Sequence, residues 1–196
     1  MLTPKALDPT KGFAAYDKGD FVTAFKELRP LAESGNAEAQ FIVGYMHSEG
    51  SGVLKNLPLA IEFFLKAANQ GNADAQRNLG GLYLEGIGVP KDTRLATEWC
   101  RKSADQGQAK SQLCLGLLYE AGTGVPKDLR LAADWYRKAA DQGNATAQVN
   151  LGFLYENGTG VQKDLRLAAE WYRKSADKGN ATAQSNLGIF YYRALL

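Results

Sequence analysis

Residues 108–143 read QAKSQLCLGLLYEAGTGVPKDLRLAADWYRKAADQG, and residues 144–179 repeat the pattern as NATAQVNLGFLYENGTGVQKDLRLAAEWYRKSADKG. Gly35, Gly71, Gly107, Gly143 and Gly179 stand 36 residues apart each time. Within one unit, Ala109 to about Ala121 reads as a helix and Gly122-Thr123-Gly124 breaks it. Val125-Pro126 leads to Asp128, an N-cap for a second helix from Leu129 to about Asp141. Gly143 ends that helix in the left-handed conformation that glycine adopts without steric cost, and Asn144 caps the next one. A two-helix unit cannot bury its apolar face alone, so units repeated at a fixed period stack on one continuous core. The expected fold is all-α, a solenoid of helix-turn-helix repeats.

The bulk properties narrow the function. The chain has 196 residues, 23 basic and 21 acidic, for a net charge of +2. So even a balance gives no reason to expect nucleic-acid binding or attraction to a membrane surface. No apolar run approaches the roughly 18 residues a membrane span requires. Met1 to Thr10 lacks the charged-then-apolar order of a signal peptide. A cytoplasmic location is therefore the default, and a periplasmic or secreted one follows if a signal peptide has been removed. The second helices carry Glu62/Lys66, Glu98/Lys102, Asp134/Lys138 and Glu170/Lys174 at i,i+4. Such pairs are expected to contribute about 0.2–0.5 kcal/mol each on an exposed face.

The recurring string AQxxLGxLYExGxGVxKDxxLAxxWYRKAADQGN resembles the Sel-1-like repeat, a relative of the tetratricopeptide repeat with a longer inter-helix turn. The resemblance divides the chain into an N-terminal segment at 1–12, a degenerate first repeat at 13–35, and four full repeats at 36–179. A C-terminal half repeat at 180–196 completes one continuous solenoid domain. In the degenerate unit Gly19-Asp20-Phe21 replaces the long turn. The resemblance implies a right-handed α/α superhelix and an adaptor that holds other proteins together.

Five copies of the first helix can be compared on a wheel of about 100° per residue. One half is constant in type, as in Ala73, Ala75, Gln76, Leu79, Gly80, Leu82 and Tyr83, and is expected to be core. The other half varies, and by resemblance to tetratricopeptide arrays it lines the concave side. There Phe41, Tyr45, Leu113, Leu117, Val149, Phe153, Ile189 and Tyr192 form an interrupted apolar track. Glu38, Glu49, Asp74, Glu85, Glu120 and Glu156 lie along or beside it, and Arg77 and Leu84 share the same half. The expected ligand is an extended or helical protein segment with apolar anchors and some basic residues. The alternative is that neighbouring first helices bury these side chains against one another.

Little in the chain points to chemistry. His47 is the single histidine and stands where later copies have Tyr83, Tyr119, Tyr155 and Tyr191, so it reads as core. Cys100 and Cys114 replace a tyrosine and an asparagine of the repeat (compare Tyr136 and Asn150) and lack zinc-ligand spacing. They read as two small buried or half-buried side chains, with one disulfide between them as the alternative. Trp99, Trp135 and Trp171 share one slot beside Arg101, Arg137 and Arg173, and their periodicity favours helix packing over base stacking. The expectation is no catalytic residue, no metal and no cofactor. Some cysteine-rich bacterial relatives are weak penicillin-binding or β-lactamase proteins, but they carry a cysteine pair in every repeat, which this chain lacks. A consensus-like array without a natural ligand is the remaining alternative. The last helix lacks its second helix, which leaves Leu187, Phe190, Tyr191 and Leu195 with less to pack on. It is expected either to dock on a second copy as a tail-to-tail homodimer or to mark a longer natural protein. Packing entirely on Trp171 and Tyr172 is the third possibility.

Overall fold

A computed structural model describes residues 9–194. Among them the chain is all-α, with helices α1 (Pro9–Asp17), α2 (Phe21–Glu33), α3 (Ala37–Glu49), α4 (Leu57–Asn69), α5 (Ala73–Glu85) and α6 (Thr93–Asp105). They continue with α7 (Ala109–Ala121), α8 (Leu129–Asp141), α9 (Ala145–Asn157), α10 (Leu165–Ala176) and α11 (Ala181–Ala194). The helices follow one another as consecutive helix-turn-helix repeats, the order of a solenoid. The chain forms two compact units, Met1–Lys91 and Asp92–Leu196. Among the described residues no helix is long and apolar enough to cross a membrane.

Caps set the helix ends. Asn36, Asn72 and Asn144 accept from the backbone N–H of Ala39, Ala75 and Ala147 at 2.8, 2.8 and 3.0 Å. Asp128 accepts from Arg130 and Leu131 at 2.9 and 3.0 Å, so the Val-x-Lys-Asp segment opens α8. Gly122, at φ +71°, ends α7 in the left-handed region. Gly143, at φ +86°, follows the last residue of the α8 cap. Gln108, which stands in the asparagine slot before α7, makes no side-chain cap bond.

Within each unit the core is built from the constant half of the first helices and the buried faces of the second helices. Leu28, Val43, Met46 and Phe63 are buried in the first unit, and Leu115, Leu151, Tyr136 and Tyr172 in the second. Each such side chain contributes about 1.5–3 kcal/mol by leaving water. Small residues let the helices close on one another: a Cβ on Gly152 would stand 2.8 Å from the Tyr172 ring, and one on Gly44 would stand 3.0 Å from Phe64. A buried glutamine then ties each first helix to the preceding second helix. Gln40, Gln76, Gln112 and Gln148 donate to the carbonyls of Ala32, Ala68, Ala104 and Ala140 at 3.0–3.2 Å. These carbonyls lie in the last turns of their helices, where intrahelical partners run out.

Two expectations are corrected. Of the four i,i+4 ion pairs, the described residues show Glu62–Lys66, at 2.6 Å. In the other copies Lys102, Lys138 and Lys174 lie over the rings of Trp99, Trp135 and Trp171 at 4.1, 3.9 and 4.0 Å. A tryptophan one turn back offers a broad π face, and the lysine ammonium sits over it. At the N-terminal end, where the described residues begin, α1 runs from Pro9, and Asp20 caps α2 through the Thr23 N–H at 3.2 Å. Last, α11 does not pack entirely on α10. Leu187 joins the core cluster of Tyr172, whereas Ile189, Tyr191 and Tyr192 remain 48, 43 and 66% exposed. Leu195 lies outside the described residues.

Candidate functional site

The constant half of each first helix is turned to the core, so its variable half is what can meet a ligand. In the second unit one slot of that half holds Leu117 on α7, Phe153 on α9 and Ile189 on α11, each 36 residues after the last. Their exposures are 46, 51 and 48%. A single exposed apolar side chain is ordinary, but one at the same place in three successive first helices forms a patch with a direction. Beside the last two lies a cavity of about 260 Å³ lined by Phe153, Glu156, Asn157, Asn186 and Ile189.

One turn further along, Glu120 and Glu156 are half-buried and serve the scaffold as well as the surface. The Tyr136 hydroxyl donates to Glu120, and the Tyr172 hydroxyl donates to Glu156 at 2.8 Å. Burial first, and then these carboxylates, push both phenols well above the ordinary tyrosine range. The Arg137 guanidinium donates to the Tyr155 hydroxyl at 2.6 Å, and Arg101 to that of Tyr119. The arginines beside the tryptophans therefore hold consecutive repeats together.

In the first unit the same slot holds Tyr45, 37% exposed, and then Gly81. A Cβ at Gly81 would meet nothing within 4 Å, so packing does not call for glycine there. The missing side chain opens a groove of about 440 Å³. Tyr45, Phe64 and Ile87 supply apolar walls, and Glu49, Lys55, Arg77 and Glu85 supply charges of both signs. Phe41, half-buried, backs the wall with its ring 6.3 Å from Tyr45 and 6.1 Å from Phe64. Arg77 makes a long contact with Asp74 at 3.5 Å and is 32% exposed.

Of the anticipated face residues, Tyr45, Glu49, Leu117, Phe153, Ile189 and Tyr192 are exposed. Phe41, Arg77, Leu84, Leu113, Glu120 and Glu156 are half-buried. Val149 is corrected: at 8% exposure it packs with Ala168, Tyr172 and Ala183. Its slot lies at the edge of the wheel, where the next first helix, α11, covers it. Leu57, Asn78 and Ile87 line the groove without having been anticipated. Leu57 and Ile87 stand in the inter-helix segments and second helix, which a comparison of first helices leaves out.

His47 is buried, 5.4 Å edge-on to Phe25 and stacked at 6.3 Å on Phe63, and its Nδ1 lies 3.4 Å from the Leu54 carbonyl. Among the described residues no group of three or more His, Cys, Asp or Glu is placed to hold a metal ion.

The Sel1 repeat model matches residues 37–72, 73–108, 109–144 and 145–180. Among solved structures, the chain is similar to a Sel1 repeat protein from Oxalobacter formigenes. The two are 37% identical with a TM-score of 0.88, over 94% of this chain and 76% of that one. It is also similar to c5321, a protective antigen of uropathogenic Escherichia coli strains with an SLR fold. That pair is 39% identical with a TM-score of 0.84, over 87% of this chain and 36% of the antigen, so the chain spans little more than a third of the antigen's length. Similarity to cysteine-rich protein B of Helicobacter pylori is weaker, at 25% identity and a TM-score of 0.53, over 68% of this chain and 96% of that one. The comparison with curated proteins returned no match. Four consecutive matches cover most of the chain, and it belongs to the Sel1 repeat family.

Proposed function

We propose that the protein is a non-catalytic interaction scaffold that binds a peptide or protein segment on the variable faces of its first helices. Sel1 repeat proteins are in general protein-interaction scaffolds, and that is the coarse role. The observation that carries the finer reading is the exposed apolar slot at Leu117, Phe153 and Ile189, occupied once per repeat. Covering three half-exposed side chains contributes on the order of 1 kcal/mol each, enough to anchor a segment whose polar groups set its register. In the first unit the groove opened by Gly81 suits a side chain entering between Tyr45 and Ile87. Glu49 and Glu85, with Lys55 and Arg77, line it with charges of both signs and favour a segment that carries both.

The test is affinity capture from native-host extract with quantitative mass spectrometry, using the parent and a Leu117→Ser, Phe153→Ser variant. A protein captured by the parent and lost from the variant, with unchanged melting, supports the assignment. Equal capture by the variant, with loss on Lys138→Ser, overturns it. The same reading extends to a second copy seated on α11 through Ile189 and Tyr192. Sedimentation then shows self-association that a Phe190→Glu, Tyr192→Glu change removes, and a parent monomeric at high micromolar concentration rules it out.

A further inference from the structure

The contact that joins a tyrosine to an asparagine in two repeats joins two cysteines in a third. Asn150 lies beside the Tyr136 hydroxyl, and Asn186 beside that of Tyr172. Counting back 36 residues from Tyr136 and Asn150 gives Cys100 and Cys114, so both departures from the repeat fall in one contact. Their Sγ atoms lie 3.0 Å apart. Cys100 is 1% exposed on α6, and Cys114 is half-buried on α7.

The surrounding geometry holds the two sulfurs in register. α6 closes the repeat at 73–108 and α7 opens the repeat at 109–144. The two helices form a hairpin about Gly107, and Cys100 and Cys114 are equidistant from it, as are Ser103 and Ser111. Ser103 Oγ and Ser111 Oγ lie 2.7 Å apart, and Gln112 donates to the Ala104 carbonyl at 3.2 Å. A disulfide needs its sulfurs at about 2.05 Å, about 1 Å closer than they stand here. A hydrogen bond from Cys100 holds the Cys114 thiol below its ordinary range, against the opposing effect of burial.

We propose that Cys100 and Cys114 are a reversible dithiol–disulfide site that links consecutive repeats and takes a small-molecule disulfide of the glutathione class as its oxidant. The Cys114 thiolate attacks one sulfur of the small disulfide, breaks its S–S bond and expels one thiolate, which takes up a proton. The Cys100 thiolate then attacks the Cys114 sulfur of the mixed disulfide, and the second small thiolate leaves and is protonated. Two protein thiols are oxidised, and one small disulfide is reduced to two thiols. The product ties α6 to α7 across a repeat junction, the kind of interface on which solenoid stability depends.

The experiment uses the full chain, reduced and folded, in oxidised/reduced glutathione mixtures of increasing ratio. Alkylation and peptide mapping then follow, with melting measured in parallel. Both thiols are expected to disappear together into a bridge within one chain, at a net loss of two hydrogens. The melting temperature rises by about 5–10 °C and returns on reduction. The Cys100→Tyr, Cys114→Asn variant restores the residues of the other repeats and melts alike in every mixture. Should it fail to fold, Cys100→Ala, Cys114→Ala serves as the same control. The proposal is overturned if both thiols of the folded protein are still alkylated at the most oxidising ratio. It is equally overturned by a glutathione adduct that never resolves, or by a bridge between two chains.

Discussion

One slot of the first helix carries opposite shapes in the two units. In the second unit it is a knob three times over, as Leu117, Phe153 and Ile189, and in the first it falls from Tyr45 to the hollow left by Gly81. Two positions earlier along the chain the slot changes little: Val43, Leu79, Leu115 and Leu151 are fully buried branched aliphatic side chains. Packing holds the inner slot to branched aliphatic residues and leaves the outer slot free to differ. Whatever selects the outer residue lies outside the chain's own core, which is why the variation is informative about binding.

The largest expected effect tests the inner side. Trp135, 8% exposed, packs between helices, and Trp135→Ala should cost about 3–5 kcal/mol, seen as a lowered melting midpoint. Gly152→Ala comes next, because its Cβ would stand 2.8 Å from the Tyr172 ring. The expected loss is about 1–3 kcal/mol, and calorimetry of the variant would show it. Gly81→Ala should move the other way. Its Cβ meets open space on a helix, so denaturant titration should show a gain of about 1 kcal/mol. Two glycine-to-alanine changes of opposite sign would sharpen the contrast, and equal signs would break it.

The smallest effect is a pH dependence. The raised phenols of Tyr136 and Tyr172 favour the protonated form in the folded state. Their contribution is fully present below the ordinary tyrosine value of about 10 and declines as pH rises through and above it. Tyr136→Phe and Tyr172→Phe should each flatten the alkaline fall of the melting temperature relative to the parent.

How much of this could be read from the sequence depended on the range of the interactions. The ends of α7 and α8 were legible because Asp128, Gly143 and Asn144 act within a turn of themselves. The outer slot was legible because five copies could be overlaid. The burial of Val149 was not, since a wheel shows the faces of one helix and not how closely α11 approaches it. Nor was the choice of Lys138, which has Asp134 four residues back and Trp135 three back and settles over the ring. The groove at Gly81 escaped for a related reason: a glycine in sequence does not say whether it avoids a clash or leaves a space.

Hydroxyl-radical footprinting of the protein with its captured partner tests the central claim most directly. Tyr45, Leu117, Phe153 and Ile189 report on the first helices, and Leu131 and Leu165, 39 and 47% exposed on α8 and α10, report on the second. The expected result is that the partner slows oxidation at the first set and leaves the second unchanged. Protection of Leu131 and Leu165, with Leu117 and Phe153 as reactive as in the unbound protein, would contradict the assignment of the binding face.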